Sequence, residues 1–395
     1  MIDNSGNSYI VFAGNNKLFK LVGSTVTELT YGGGGTAPTI SDSNWQMAAL
    51  SGCLYLYQLG HTPLVFDPAT SATTYKRISE KTGYLGTAQL SDCAISAYGR
   101  IWTANTTTDK NTVQFSDVQA GHILSTGTAG TLDVSRVWPN GADEIVALAA
   151  HNNQLFIFGR RQILIYKNAT DPAAMTLEDA ITGVGCCARD SVAKTGTDIL
   201  FLSDSGVRSI ARTIQEKSAP MTDISYNVRD DLIADLSIET LANIKAVYSD
   251  SNAFYLITFP TSVTTYCFDT RTKLQSGAHR ATTWNLVPKA MFVNRSKEVM
   301  FGFAGYVGYY TGHLDNAASY RLQYLSTYID FAKPMNVKIL KKIGFTLIGG
   351  NQAPVAVKYA FDYQPSYQSR NIIMGDVSVA EWGTAEWNIS EWTAG

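Results

Sequence analysis

A three-strand module recurs along most of this chain, and that repeat limits the possible folds more than any other feature. Its clearest copy runs from Ile145 to Asn168 as IVALAAHNNQLFIFGRRQILIYKN. An apolar strand leads to a tight polar turn at Asn152-Asn153, a second strand QLFIF follows, then a Gly-containing turn and a third strand QILIY. Large apolar residues alternating with small or polar ones suit pleated, part-buried strands. Asn, Gly and Ser at the breaks suit hairpin turns. Further copies begin at Tyr9, Gln46, Ala94, Ser191, Ile244 and Lys289. Their first turns, at Asn15, Ser51, Gly99, Asn152, Gly196, Asp250 and Ser296, are 36 to 54 residues apart and average roughly 47, near the length of a four-stranded propeller blade. Possible fourth strands, such as those from Ser71 and Gly130, lie between modules.

One module cannot bury both faces of its sheet alone, whereas radial stacking buries each against the next. The pattern therefore predicts an all-β fold: a β-propeller of about seven blades, with six or eight also compatible, over residues 1–315. A string of hairpins forming two β-sandwiches is the alternative reading. One helix is expected, in Tyr226 to Ala242, where Val228, Leu232, Ile233 and Leu236 have helical spacing and Asn227 is the candidate cap. Its place is between two modules, as a rim decoration or a contact with a neighbouring subunit.

The periodicity breaks after Gly312, and residues 316–395 read as a small C-terminal antiparallel β platform. Leu322 to Gln364 contains three or more strands, separated by Pro334 and by Gly349-Gly350-Asn351. Lys338, Lys341 and Lys342 form its basic cluster; it is either a solvated edge that discourages sheet-to-sheet aggregation or a contact for DNA phosphate or an acidic partner. The end of the chain repeats Glu-Trp every five residues, placing Trp382, Trp387 and Trp392 in a polar context. Five is neither the helix nor the strand period. Trp is a favoured interface anchor, so these three residues, with the lysines, are the candidate interface. Packing back on the parent domain is the competing reading.

Catalytic motifs are missing. The five His residues are scattered, without an H-E-x-x-H or H-x-H pattern, and no G-x-S-x-G elbow occurs. Gly32 to Gly35 lacks the Lys-Ser/Thr of a phosphate loop, so a flexible inter-blade loop is expected. Ser203-Asp204-Ser205-Gly206 superficially matches a sialidase Asp-box but lacks the aromatic two residues beyond the glycine, and Ser209 to Thr213 reads as continuing strand. The five cysteines include no C-x-x-C pair and are expected to be free, buried thiols of a protein made in a reducing cytoplasm. No basic leader and no apolar run of about 18 residues is present, so neither a signal peptide nor membrane insertion is expected. No catalytic, cofactor or metal site is expected either.

Two segments carry a family resemblance. ALAAHNNQLFIFGRRQILIYKNATDP followed by GVGCCARDSVAKTGTDILFLSDSGVRSI, spanning Ala147 to Pro172 and Gly183 to Ile210, resembles the core of tail proteins from short-tailed bacteriophages. Thr327 to Asp362, with the Trp-rich tail after it, is similar to the sheet of the same proteins. The resemblance is to the tail nozzle, or packaged-DNA stabilisation, family of podovirus-like phages. It implies a structural virion protein made in the host bacterial cytoplasm and built into the tail. There it would form a homo-oligomeric ring, usually hexameric, below the portal and adaptor, with tail fibre or needle proteins as further partners. The ring extends the DNA-ejection channel and closes it after packaging. No single functional residue carries over, because the family's role resides in surfaces and channel geometry.

Charge is consistent with that role. Lys+Arg number 31 against 33 Asp+Glu, and only 16% of residues are charged, below the roughly 25% of ordinary soluble domains. Each lasting Lys or Arg contact with phosphate would retain DNA through counterion release, so a near-neutral conduit lets DNA pass without specific binding. Two rivals remain at this stage: a carbohydrate-binding or depolymerising tail propeller that stacks sugars on Tyr and Trp, and a cytoplasmic propeller scaffold.

Overall fold

The computed structural model describes residues 1–41, 44–216, 223–274, 277–311, 320–326, 329, 331, 335–339, 341, 354–361 and 366–373. The chain divides into two compact units, Met1–Gly312 and His313–Gly395.

Each of the seven sequence modules folds as an antiparallel meander. The first comprises Ile10–Gly14, Lys17–Val22 and Thr25–Tyr31. The second comprises Gln46–Leu50, Cys53–Tyr57, Leu64–Phe66 and Thr74–Arg77. The third runs through Cys93–Ala97, Arg100–Ala104, Thr112–Phe115 and Gly130–Asp133. The fourth runs through Ile145–His151, Gln154–Gly159, Gln162–Lys167 and Thr176–Thr182. The fifth is short: Ala193–Lys194, Ile199–Ser203 and Gly206–Ser209. The sixth contains Lys245–Ser249, Phe254–Phe259, Thr264–Lys273 and His279–Trp284. The seventh contains Ala290–Val293, Val299–Phe303 and Tyr306–Tyr309.

Turn chemistry explains why the repeat is regular at its start. In the first four meanders the opening hairpin closes with two residues, both at positive φ: Asn15-Asn16, Ser51-Gly52, Tyr98-Gly99 and Asn152-Asn153. The flanking pairs Gly14↔Lys17, Leu50↔Cys53, Ala97↔Arg100 and His151↔Gln154 are in register. Two left-handed residues match the twist of the strands they join, and Asn and Gly tolerate that conformation best.

The propeller arrangement has five blades, not about seven. The physical reason lies in the cores. Six apolar clusters join consecutive meanders in chain order, from first-to-second through sixth-to-seventh. The second to sixth meanders are thus covered on both faces, whereas the first and seventh are covered on one. The first also pairs in parallel with the outer strand of the second, Thr30 beside Thr74 and Tyr31 beside Tyr75, which merges two modules into one seven-stranded sheet. A module count therefore exceeds the blade count.

Two helices interrupt the strands. Helix α1, Ile210–Glu216, stands where the expected strand Ser209 to Thr213 would continue. Ser209 Oγ accepts from Arg212 N at 3.4 Å and Asp198 Oδ1 accepts from Ala211 N at 3.0 Å, so the first turn is capped from both sides. Helix α2, Arg229–Ile238, has Val228 rather than Asn227 at its cap position, without a side-chain cap. It seats Leu232 against the core shared by the fifth and sixth meanders, with Val228 and Leu236 beside it. Gly32 to Gly35 is held rather than flexible: Gly34 N donates to Glu80 Oε1 at 3.0 Å, Tyr31 Oη donates to the same oxygen at 2.6 Å, and a Cβ on Gly33 would strike Glu80.

In the second unit the described strands are Pro354–Tyr359 and Gln368–Ile373, an antiparallel pair. Of the rest of the expected platform, the described residues 320–326 and 335–339 carry no strand, and the remainder lies largely outside the described residues. Among the described residues no helix is long and apolar enough to cross a membrane.

Candidate functional site

The candidate interface residues fall mostly beyond the described part of the chain. Trp382, Trp387, Trp392 and Lys342 lie outside it. Lys338 and Lys341 are described and exposed, and Lys338 Nζ donates to the Asn336 carbonyl at 3.2 Å. Among the other described residues of this unit, Leu322, Tyr324, Met335, Val337 and Ile339 are each more than three-quarters exposed, up to 97% for Val337.

The residues missed by sequence reasoning form a charged hub where four modules meet. It begins in the GCCARDS segment of the resemblance. Cys186, Cys187 and Ala188 are buried as the chain crosses from the fourth meander to the fifth, where Cys186 N donates to Gly159 O and Cys187 N to Leu202 O, both at 2.9 Å. A single 3₁₀ turn, Arg189–Ser191, follows. Ser191 anchors it: its hydroxyl donates to Ala188 O at 2.7 Å and accepts from Leu202 N at 3.1 Å, while its carbonyl accepts from Tyr255 Oη at 2.7 Å.

That anchor aims Arg189 and Asp190 inward. All five guanidinium N–H groups find acceptors. Nε and Nη2 take Asp190 Oδ1 and Oδ2 at 2.8 and 2.9 Å. Nη1 takes Asp92 Oδ1 at 2.6 Å and Asp92 O at 2.8 Å, and Nη2 also reaches Asn44 O at 3.2 Å. Lys245 Nζ donates to Asp190 Oδ2, to Asn44 Oδ1 at 3.1 Å and to Ala242 O at 2.9 Å. Gln46 Nε2 donates to Asp190 Oδ1 at 3.0 Å while its Oε1 accepts from Ala94 N at 2.7 Å. Two cations face two carboxylates, so the hub is neutral, and its side chains are 9 to 23% exposed.

The two carboxylates titrate in opposite directions. Burial opposes ionisation of Asp190, but Arg189 and Lys245 overcome it and hold its carboxyl well below the usual range. Asp92 has one close cation instead of two, and burial prevails and raises it. Asp190 thus contributes stability above the unfolded carboxylate value of about 4, and that contribution is lost as pH falls below it. Asp92 acts with the reverse sign and offsets part of the loss. The midpoint of thermal unfolding should therefore fall between about pH 4 and pH 2, and Asp190→Asn should flatten that slope. An equal slope in the variant would mean that other carboxylates carry the acid response.

This chemistry is structural: every strong donor of the hub is already used within the protein. A cavity of about 230 Å³ between the fifth and sixth meanders is lined by Asp198, Arg208, Asp223, Tyr248 and His279, among others. There burial raises Asp223 and lowers His279. All five cysteines are buried free thiols, raised by burial, so they are weak nucleophiles. Among the described residues no three His, Cys, Asp or Glu stand close enough to hold a metal ion.

The hub's Arg189-Asp190-Ser191 lies inside the segment that comparison with known families picks out. Residues 139–310 match the Phage_stabilise family, Bacteriophage P22 Gp10, beta-propeller. The match takes in the fourth to seventh meanders and supports a phage tail and stabilisation family, as the sequence resemblance implied. That family suggests a structural virion component. No curated protein matches the chain. Among solved structures, PorZ, an essential surface component of the type-IX secretion system of Porphyromonas gingivalis, is 13% identical, with 82% of this chain and 39% of that chain covered and a TM-score of 0.35. The computationally designed Ika8 protein is 13% identical over 76% of this chain and 82% of its own, with a TM-score of 0.42. A streptogramin B lyase is 11% identical over 76% and 92%, with a TM-score of 0.38.

Proposed function

We propose that the chain is a tail nozzle subunit: a non-enzymatic protomer of a closed ring, six-membered by analogy with the family, that prolongs the DNA channel below the portal and adaptor. The observation that carries this reading is the match of residues 139–310 to the phage stabilisation propeller. The exposed apolar side chains of the second unit, Tyr324 and Val337 among them, support it, since they are available to a partner protein. The portal-adaptor ring and fibre or needle proteins are its expected partners. The even charge balance suits a channel that lets DNA slide.

Assembly is assigned to the second unit and its tryptophans. Ending the chain after Asp376, which removes Trp382, Trp387 and Trp392, should abolish the ring while the propeller keeps its cooperative unfolding. Native mass and circular dichroism of that truncation check this, and an intact ring from the shortened chain would overturn the assignment.

A further inference from the structure

The loop joining the third meander to the fourth holds Asn140-Gly141, the sole place in the sequence where an asparagine precedes a glycine. Both residues are exposed. Gly141 has φ +87°, and nothing lies within 4 Å of the position its Cβ would take. A side chain is strained in that left-handed backbone, so the turn itself calls for glycine after Asn140. Gln162, buried at the start of the third strand of the fourth meander, clamps the loop. Its Oε1 accepts from Asn140 N at 2.9 Å, and its Nε2 donates to Gly141 O at 3.2 Å. The clamp leaves two groups unengaged. Among the described residues, neither the Asn140 side-chain amide nor Gly141 N has a hydrogen-bond partner.

We propose that Asn140 is a self-modification site, at which the side-chain amide is lost without enzyme or cofactor. Chain connectivity holds the two free groups within reach of each other, which makes the reaction intramolecular, and no glycine side chain hinders the attacking nitrogen. Gly141 N attacks Asn140 Cγ, and the new N–C bond closes a five-membered succinimide ring. The Cγ–Nδ2 bond breaks, and Nδ2 leaves as ammonia with the proton from Gly141 N. Water then opens the ring, supplying the hydroxyl of a new carboxyl group and the proton returned to Gly141 N. Opening at Cγ gives aspartate; opening at the Asn140 backbone carbonyl gives isoaspartate. Nothing is oxidised or reduced. Either product adds a negative charge close in sequence to Asp143 and Glu144. Isoaspartate also inserts one extra atom into the backbone between the two groups that Gln162 holds, so the clamp loses one of them. Neither step depends on the ring reading. In a virion component, which is not replaced after assembly, the modified fraction would grow with age.

Peptide mass spectrometry of the folded full-length chain, incubated for days in warm, mildly alkaline water enriched in oxygen-18, tests this. The Asn140 peptide should gain about 3 Da, one heavy oxygen replacing the amide nitrogen, and should separate into an aspartate and an isoaspartate form. Asn140→Gln keeps an amide at this exposed position but would have to close a larger ring, so its peptide should gain nothing. In the folded chain the gain should proceed within about tenfold of its rate in the urea-unfolded chain. A slower folded-state rate would overturn the proposal, because the Gln162 clamp would then be protecting the site. Equal conversion at asparagines not followed by glycine would overturn it too.

Discussion

Asp190→Ala should lower the stability of the propeller unit by about 3 kcal/mol or more, the cost of stranding a buried charge when its partner is removed. Among the described residues, Asp190 is the only carboxylate that touches both Arg189 and Lys245. Without it, Nε of Arg189 has no acceptor, and two cations that are at most 15% exposed face Asp92 alone. The loss is structural as well as electrostatic, because the same carboxylate fixes Gln46, whose amide holds the first strand of the third meander through Ala94. Four modules would loosen together, so unfolding should begin at lower denaturant and show a shallower slope. Thermal and urea unfolding of the variant measure both effects. A change below about 0.5 kcal/mol, typical of an exposed site, would mean that the hub is solvated in solution.

Phe201→Ala should cost roughly 4 kcal/mol, within the range for emptying an aromatic site in a core. Phe201 is fully buried on the central strand of the fifth meander, its ring 5.1 Å from that of Phe158 on the fourth. The pair forms the middle of the core that joins those two blades. Phe201 shares that core with buried Ile163, Ile165, Ile199 and Ile210, so truncation leaves a cavity among already packed side chains. For a unit this large each kcal/mol shifts the melting midpoint by about 2 °C, so a fall of roughly 8 °C is expected. Val26→Asp serves as the control, since an exposed position should leave the midpoint almost unchanged. Equal midpoints for Phe201→Ala and the wild type would contradict the blade-on-blade packing.

Much of the fold was legible because its signals are local. Paired left-handed turns at Asn15-Asn16 and Asn152-Asn153 and the alternation in QLFIF fix strands and hairpins without reference to distant chain. The blade number was not legible in the same way. It depends on whether a meander is covered on both faces, and that is settled by neighbours far away in sequence. Local signals also conflicted in places. Ser209 is a sound N-cap, yet the apolar run into Ile210 read as strand until Asp198 supplied the second cap. Gly32 to Gly35 reads as slack until Glu80, more than forty residues on, is seen to bind it. The hub left one visible trace: two opposite charges, Arg189 and Asp190, set in the apolar run from Cys186 to Ala193. Their partners Asn44, Asp92 and Lys245 are scattered over two hundred residues, and only the closed stack brings them together. The tryptophan repeat stays a sequence observation, with its placement outside the described residues.

Negative-stain images together with the native mass of the purified full-length chain test the central claim most directly. The account predicts closed rings with a central hole and a mass that is a whole multiple of 43.0 kDa, six being the expected multiple. A uniform 43.0 kDa monomer, with no ring in the images, would contradict it.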